Sequence, residues 1–208
     1  MTPALGTSIA AVATLLGCLG VTAACGPPAQ DDSAVLAAVI EQRLLPQALA
    51  ERPDRPPESV LVVSPTAHPF CASAEHHREQ CLDPQQLSLP ELLGQRSVSG
   101  RGVLGFSTDA TEQLATALSA QNVGGPRVPV SESGRVRIFD HAAPDGQRAL
   151  EVGLGTVMLS LPAYDIGGDA VVLASYHCGP LCGSTWLFRL SRRWSRWEVV
   201  AQSQVSAS

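Results

Sequence analysis

The chain has 208 residues with 14 basic and 19 acidic side chains, giving a formal net charge of −5. Every basic residue is arginine, which excludes a Walker-type phosphate loop and a Schiff-base lysine, because both need a lysine amine. The acidic balance and an aromatic content of only 4% argue against nucleic acid as a partner, since its readers carry a basic face and stacking rings.

Residues 1–24 carry no charged side chain, and from Ala4 to Ala24 they are almost wholly small or aliphatic. A run of about 20 apolar residues is long enough to cross a bilayer, so an uncleaved membrane helix is one reading. The Gly-rich composition and the small residues Ala23 and Ala24 before Cys25 favour an export signal instead. Val21-Thr22-Ala23-Ala24-Cys25 resembles a bacterial lipobox, in which a small residue precedes a cysteine that is lipidated and becomes the new N-terminus. Cys18, after Leu15-Leu16-Gly17, is an alternative anchor whose leucine fits the pattern better. The sequence after Cys18 stays apolar, however, whereas Gly26-Pro27-Pro28-Ala29-Gln30-Asp31-Asp32 after Cys25 is a polar spacer. The pattern departs from the usual signal in lacking an early Lys or Arg. The organisation expected is therefore a signal peptide over 1–24, a flexible tether over 25–32 and a single domain over 33–208. The protein is expected to be exported and held by its lipid on the periplasmic side or cell surface. Two or more acyl chains give stable attachment where one does not.

In the domain, Leu36, Val39, Ile40 and Leu44 recur at helical spacing behind the capping residues Asp31, Asp32 and Ser33, with Pro46 expected to end or kink the helix. The proline-rich link Pro53–Pro57 leads to a β-branched strand over 59–64. Ser88 and Glu91 stand in capping-box spacing before a short helical turn closed by Gly94. A second good helix starts at Asp109 and Glu112, carries Leu114 and Leu118, and ends at Asn122 before Gly124-Gly125. Strands are expected at 135–140, 149–161, 169–176, 185–191 and 196–203, the last three as an antiparallel meander. Helices first and sheet afterwards give an α+β fold, with N-terminal helices packed on a mainly antiparallel sheet. Tyr176, Trp186, Phe188, Trp194 and Trp197 all fall in the meander and are expected to build its core. Arg189, Arg192, Arg193 and Arg196 cluster at its last hairpin beside Glu198. A solvated turn accounts for them most simply, and contact with anionic lipid headgroups is the functional alternative.

Four cysteines remain after the export segment: Cys71, Cys81, Cys178 and Cys182. An even number in an oxidising compartment favours disulfides. Three pairings are open, and the two local ones, Cys71–Cys81 and Cys178–Cys182, are the simplest. Gly179 and Pro180 supply the turn that the second would need. Three chemical alternatives accompany the disulfides. One is that Cys178-x3-Cys182 with His177 binds copper as in periplasmic copper-delivery proteins, whose thioredoxin-fold context is absent here. His177-Cys178-Gly179-Pro180-Leu181-Cys182 is one residue longer than the Cys-Gly-Pro-Cys of thioredoxins, but a strand rather than a helix is expected to follow it. His68, Cys71, His76, His77 and Cys81, with His177 beside the second cysteine pair, offer imidazole and thiolate ligands suited to zinc or copper. Their spacing matches no zinc-finger pattern, and a disulfide-closed loop with solvated histidines needs no metal.

The strand from Asp169 into Cys178-Gly179-Pro180-Leu181-Cys182-Gly183, the strand after it, and Arg196-Trp197-Glu198-Val199-Val200 resemble an uncharacterised family of bacterial envelope proteins and candidate lipoproteins. Cys178, Gly179, Leu181, Cys182, Gly183 and Trp197 carry the resemblance, and weaker similarity extends over 33–203. Ser195 replaces the turn glycine and Thr185 stands where a glycine is usual. The resemblance implies an α+β fold and an exported location, and it implies no reaction. No Gly-x-Ser-x-Gly elbow, His-Glu-x-x-His helix or dinucleotide glycine fingerprint occurs in the sequence. The function expected is thus a non-catalytic domain that binds another envelope component, with the membrane as its second partner. A metal-binding or dithiol redox protein is the alternative.

Overall fold

The computed structural model describes residues 31–70, 82, 87, 89–94, 104–139, 153–179 and 182–207. Asp31 accepts a hydrogen bond from Ala34 N at 3.0 Å and so caps α1 (Asp32–Val39), satisfying a backbone donor that the first helical turn leaves without a partner. A π-helical turn (Ile40–Leu44) and α2 (Leu45–Glu51) continue the same rod. Pro46 therefore does not end the helix. Leu45 N reaches back to Ile40 O, and this widened turn accommodates a ring that would clash with the carbonyl four residues earlier in a regular α-helix.

The sheet has seven strands: β1 (Leu61–Val63), β2 (Val136–Ile138), β3 (Gly155–Leu159), β4 (Ala163–Tyr164), β5 (Ala170–Gly179), β6 (Cys182–Arg193) and β7 (Arg196–Ala207). Its order is β2-β1-β3-β5-β6-β7, with β4 pairing β5. β1 runs parallel to both β2 and β3, and every other pairing is antiparallel, so the sheet is mixed. β5, β6 and β7 form the meander expected from their alternation.

Helices cover both faces. Leu36, Val39, Ile40 and Leu44 bury against Val157, Leu159, Val172, Ala174, Tyr176, Phe188 and Leu190 on one side. On the other, Val171, Leu173 and Leu187 pack with α3 (Leu89–Gly94), α4 (Thr108–Gln121) and Phe106. Alternate residues of β5 thus serve two cores, as period-two geometry requires of a strand covered on both sides. Burying each Leu or Phe side chain contributes roughly 1.5–3 kcal/mol, so the two apolar layers dominate stability.

Three polar devices lock the layers. Asn122, the only asparagine in the chain, is fully buried. Its amide donates to Leu118 O at 2.7 Å and Leu161 O at 3.3 Å and accepts from Leu161 N at 2.6 Å, tying the end of α4 to the sheet. Gln42 accepts from Val199 N at 2.9 Å and donates to Trp197 O at 2.8 Å, fastening the π-turn to β7. Arg189 donates to Asp169 through Nε at 2.8 Å and through one terminal nitrogen at 2.6 Å. Its other terminal nitrogen reaches Leu104 O at 2.6 Å, and its guanidinium lies 4.3 Å from the Phe106 ring centre. Arg189 is therefore a structural arginine, separate from Arg192, Arg193 and Arg196.

The aromatic set also divides. Tyr176 and Phe188 are fully buried, Trp197 nearly so, and Trp186 is half-buried against the same core. Trp194 is fully exposed and plays no part in it, contrary to the sequence expectation.

Candidate functional site

The cysteine motif forms the hairpin between β5 and β6. Gly179 pairs with Cys182 and His177 with Gly183 across it, with a register shift between His177 and Gly179. Cys178 and Cys182, with Cα atoms 5.2 Å apart, are joined as a disulfide. A strand follows Cys182, so the helix N-terminus that lowers a thioredoxin thiol's pKa has no counterpart at this position. A bridge that closes so short a loop adds little chain entropy and fixes the hairpin shape.

The end of α2 meets this hairpin. Glu51 Oε2 lies 3.5 Å from Cys178 Sγ and 4.0 Å from Cys182 Sγ, and Arg52 donates to Cys178 O at 2.7 Å. Gln47 bridges Glu51 Oε1 at 2.8 Å and Ser184 Oγ at 3.3 Å, orienting the carboxylate. One donor atom from each of Glu51, Cys178 and Cys182 falls within 4.8 Å of the others, the one such group of His, Cys, Asp and Glu among the described residues. Disulfide sulfurs carry no thiolate, so these residues can serve as a metal-ligand set only after reduction. Glu51 had no signal in the sequence: it stands 127 residues from Cys178, and only the return of the sheet to α2 unites them.

Behind the hairpin, Gly155 has φ 125°, and a Cβ there would lie 2.5 Å from His177 O and 2.7 Å from the Tyr176 ring. Glycine is required for that approach. Tyr176 Oη donates to Leu154 O at 2.7 Å. Burial first, and the nearby Glu51 charge second, push its phenol up to about 12, with Arg52 opposing.

His68 lies beside β3, its backbone N donating to Leu159 O at 2.9 Å. Burial, and then the positive charge of His177, lower its pKa from 6.5 to about 4, while a hydrogen bond with the Pro69 backbone acts the other way. Its Nδ1 is buried without a hydrogen-bond partner. His68 is thus a neutral imidazole near neutral pH. Exposed His177 sits on the hairpin itself. His76, His77, Cys71 and Cys81, the rest of the expected cluster, lie outside the described residues, as do Cys18, Cys25 and Leu181 of the other expected sites. Trp197 is far along β7 from the cysteines, its ring 6.1 Å from that of Tyr164.

No family model, curated protein or solved structure matches this chain. Two concavities formed by described residues lie away from the hairpin. One is lined by Ser33, Ala37, Ile40, Glu41 and Val136, and another by Glu91, Gly94, Phe106, Thr111 and Glu112. Neither collects a cysteine or an imidazole.

Proposed function

We propose that the protein is an exported, lipid-anchored component of a bacterial cell envelope, joined to the membrane at Cys25, whose α+β domain binds another envelope component without catalysing a reaction. The observation that carries this reading is the Cys178–Cys182 disulfide. Such bonds persist in oxidising compartments and are rare in the cytosol. It agrees with the charge-free segment 1–24, the lipobox-like Ala23-Ala24-Cys25 and the envelope family that the hairpin motif resembles. The half-buried sulfurs, the buried imidazole of His68 and the buried phenol of Tyr176 are explained by packing and hairpin closure, which suits a rigid binding module. Electrospray mass of the chain from membranes tests the reading. A triacylated chain beginning at Cys25 is expected, and an unmodified chain beginning at Met1 refutes it.

The contact of Glu51 with both sulfurs favours a second reading, a dithiol or soft-metal protein. A dithiol reductant would transfer two electrons and two protons to the bridge, and the two freed thiolates with the Glu51 carboxylate would supply three of the four donors usual for zinc. Thiol counting separates the two. A Cys178–Cys182 bridge that resists a mild dithiol in native protein, with no zinc or copper retained after forced reduction, leaves only the first reading.

A further inference from the structure

The end of the sheet opposite the disulfide carries two fully exposed apolar side chains. The β4–β5 turn and the β6–β7 turn emerge together there, because Ala170 at the start of β5 pairs with Leu190, and Leu190 pairs with Val199. Ile166 on the first turn is 98% exposed and Trp194 on the second is 101% exposed. Arg193 pairs with Arg196, so Trp194 and Ser195 form a two-residue hairpin turn. Trp194 has φ 59° in the first position of that turn, where glycine is the usual occupant because side chains strain the left-handed region. A bulky ring there costs both backbone strain and exposed apolar surface, and neither is offset inside the fold. Strain of this kind collects at functional positions.

The start of α1, with Asp31 and Asp32, lies at the same end. Asp32 accepts a hydrogen bond from Tyr164 Oη at 2.6 Å, two residues before Ile166, and the Tyr164 ring lies against Trp197. From Cys25 to Asp31 is six residues, which span at most about 20 Å when fully extended. A lipid at Cys25 would thus hold Asp31, and with it the Ile166 and Trp194 turns, close to the membrane surface.

We propose that this end of the sheet is a bilayer-docking tip: Ile166 and Trp194 insert at the headgroup level, and Arg192, Arg193 and Arg196 contact lipid phosphates. Tryptophan prefers the membrane interface, where its ring is partly dehydrated while its N–H stays hydrated. Asp31, Asp32, Asp165 and Glu198 share this end, and Arg193 Nε lies 3.5 Å from Glu198. The tip is therefore not a polybasic patch. The apolar pair drives insertion, and the arginines set its depth. The domain then stands with its disulfide hairpin directed away from the membrane.

This inference rests on the lipid-anchored reading, and one experiment separates their failures. The full chain is reconstituted into vesicles of phosphatidylcholine and phosphatidylglycerol, with and without brominated phosphatidylcholine, and its lipidation is read by mass. Subtracting the emission of W194F isolates Trp194 from Trp186 and Trp197. The expected result is a blue-shifted Trp194 component that brominated lipid quenches by about twofold or more, as befits a ring at the headgroup–acyl boundary. I166S should weaken this quenching. W194G should abolish the Trp194 signal while raising the unfolding midpoint, because it removes the strain. A lipidated chain whose Trp194 stays unquenched overturns the tip and leaves the anchor standing. A blue shift without quenching means that protein, not lipid, covers the ring, and also overturns it. An unlipidated chain refutes the anchor reading, and its Trp194 quenching on added vesicles then decides the tip independently.

Discussion

Arg189 and Arg193 lie on one strand and look alike in sequence, yet they should differ sharply in their coupling to their acidic partners. Arg189 gives Asp169 two charge-assisted hydrogen bonds, at 2.8 and 2.6 Å, in a pair whose side chains are only 27% and 18% exposed. Ser191 Oγ occupies the other Asp169 oxygen at 2.7 Å. Arg193 meets Glu198 at 3.5 Å with side chains 64% and 46% exposed. Hydrogen bonds to charged groups contribute about 1.5–3 kcal/mol when sheltered, whereas exposed pairs give about 0.2–1 kcal/mol. A double-mutant cycle of R189M and D169N, followed by urea unfolding, should return a coupling of about 1.5–2 kcal/mol, discounted for the partial exposure. R189M alone should cost about 2–4 kcal/mol, because it also leaves Leu104 O without its donor and removes the contact with Phe106. At roughly 2–4 °C per kcal/mol for a domain of this size, that is a clear loss in Tm. The matched cycle of R193M and E198Q should give under about 0.5 kcal/mol. Equal couplings for the two pairs would refute the assignment of Arg189 to structure and of Arg193 to the surface.

Two further predictions concern the interior. Asn122→Ala removes the bridge between α4 and Leu161 and leaves the part-buried Leu161 N without its acceptor, so urea unfolding should show a loss of about 1–3 kcal/mol. A loss below about 0.5 kcal/mol contradicts the bridging role. His68 has a folded pKa of about 4 against 6.5, so below 6.5 the unfolded chain takes up a proton that the folded one refuses. Stability should therefore be intact at pH 7 and fall as pH drops from 6.5 toward 4, by a total on the order of 3 kcal/mol. His68→Gln should remove that part of the acid sensitivity, measured as the difference in urea midpoints at pH 7 and 4.5. Parallel pH profiles for wild type and variant would show that His68 is not the group involved.

Much of the architecture was legible because it is written locally. The alternation in β5, β6 and β7 announced the meander, and the spacing of Leu36, Val39, Ile40 and Leu44 gave the buried stripe of the first helix. α4 starts a residue or two before the expected Asp109, since Ser107 supplies its cap, accepting from Ala110 N at 3.4 Å. The parallel pairing of β1 with β2 and β3 was not legible. These strands are three to five residues long and meet across long stretches of chain, so no periodic signal records their register. The cysteine hairpin could be located from Gly179-Pro180, but its Glu51 neighbour could not, because tertiary return alone brings it there. At Trp194 the pattern misleads for a general reason: a large aromatic in an alternating strand region implies core, and only the turn conformation at φ 59° reveals that it points outward.

The Gln42 side chain has a consequence for how copies of the protein meet. β7 is the outer strand of the sheet and 12 residues long, the kind of border that recruits strands from other molecules. By giving one acceptor to Val199 N and one donor to Trp197 O, the Gln42 amide imitates a single residue of a neighbouring strand and closes the border beside the β6–β7 turn. If the chain is anchored as proposed, copies confined to a membrane plane would meet far more often than copies in free solution, and in a shared orientation. The glutamine thus occupies the two backbone groups, Trp197 O and Val199 N, that an identical neighbour would need to begin an intermolecular sheet at this end of β7.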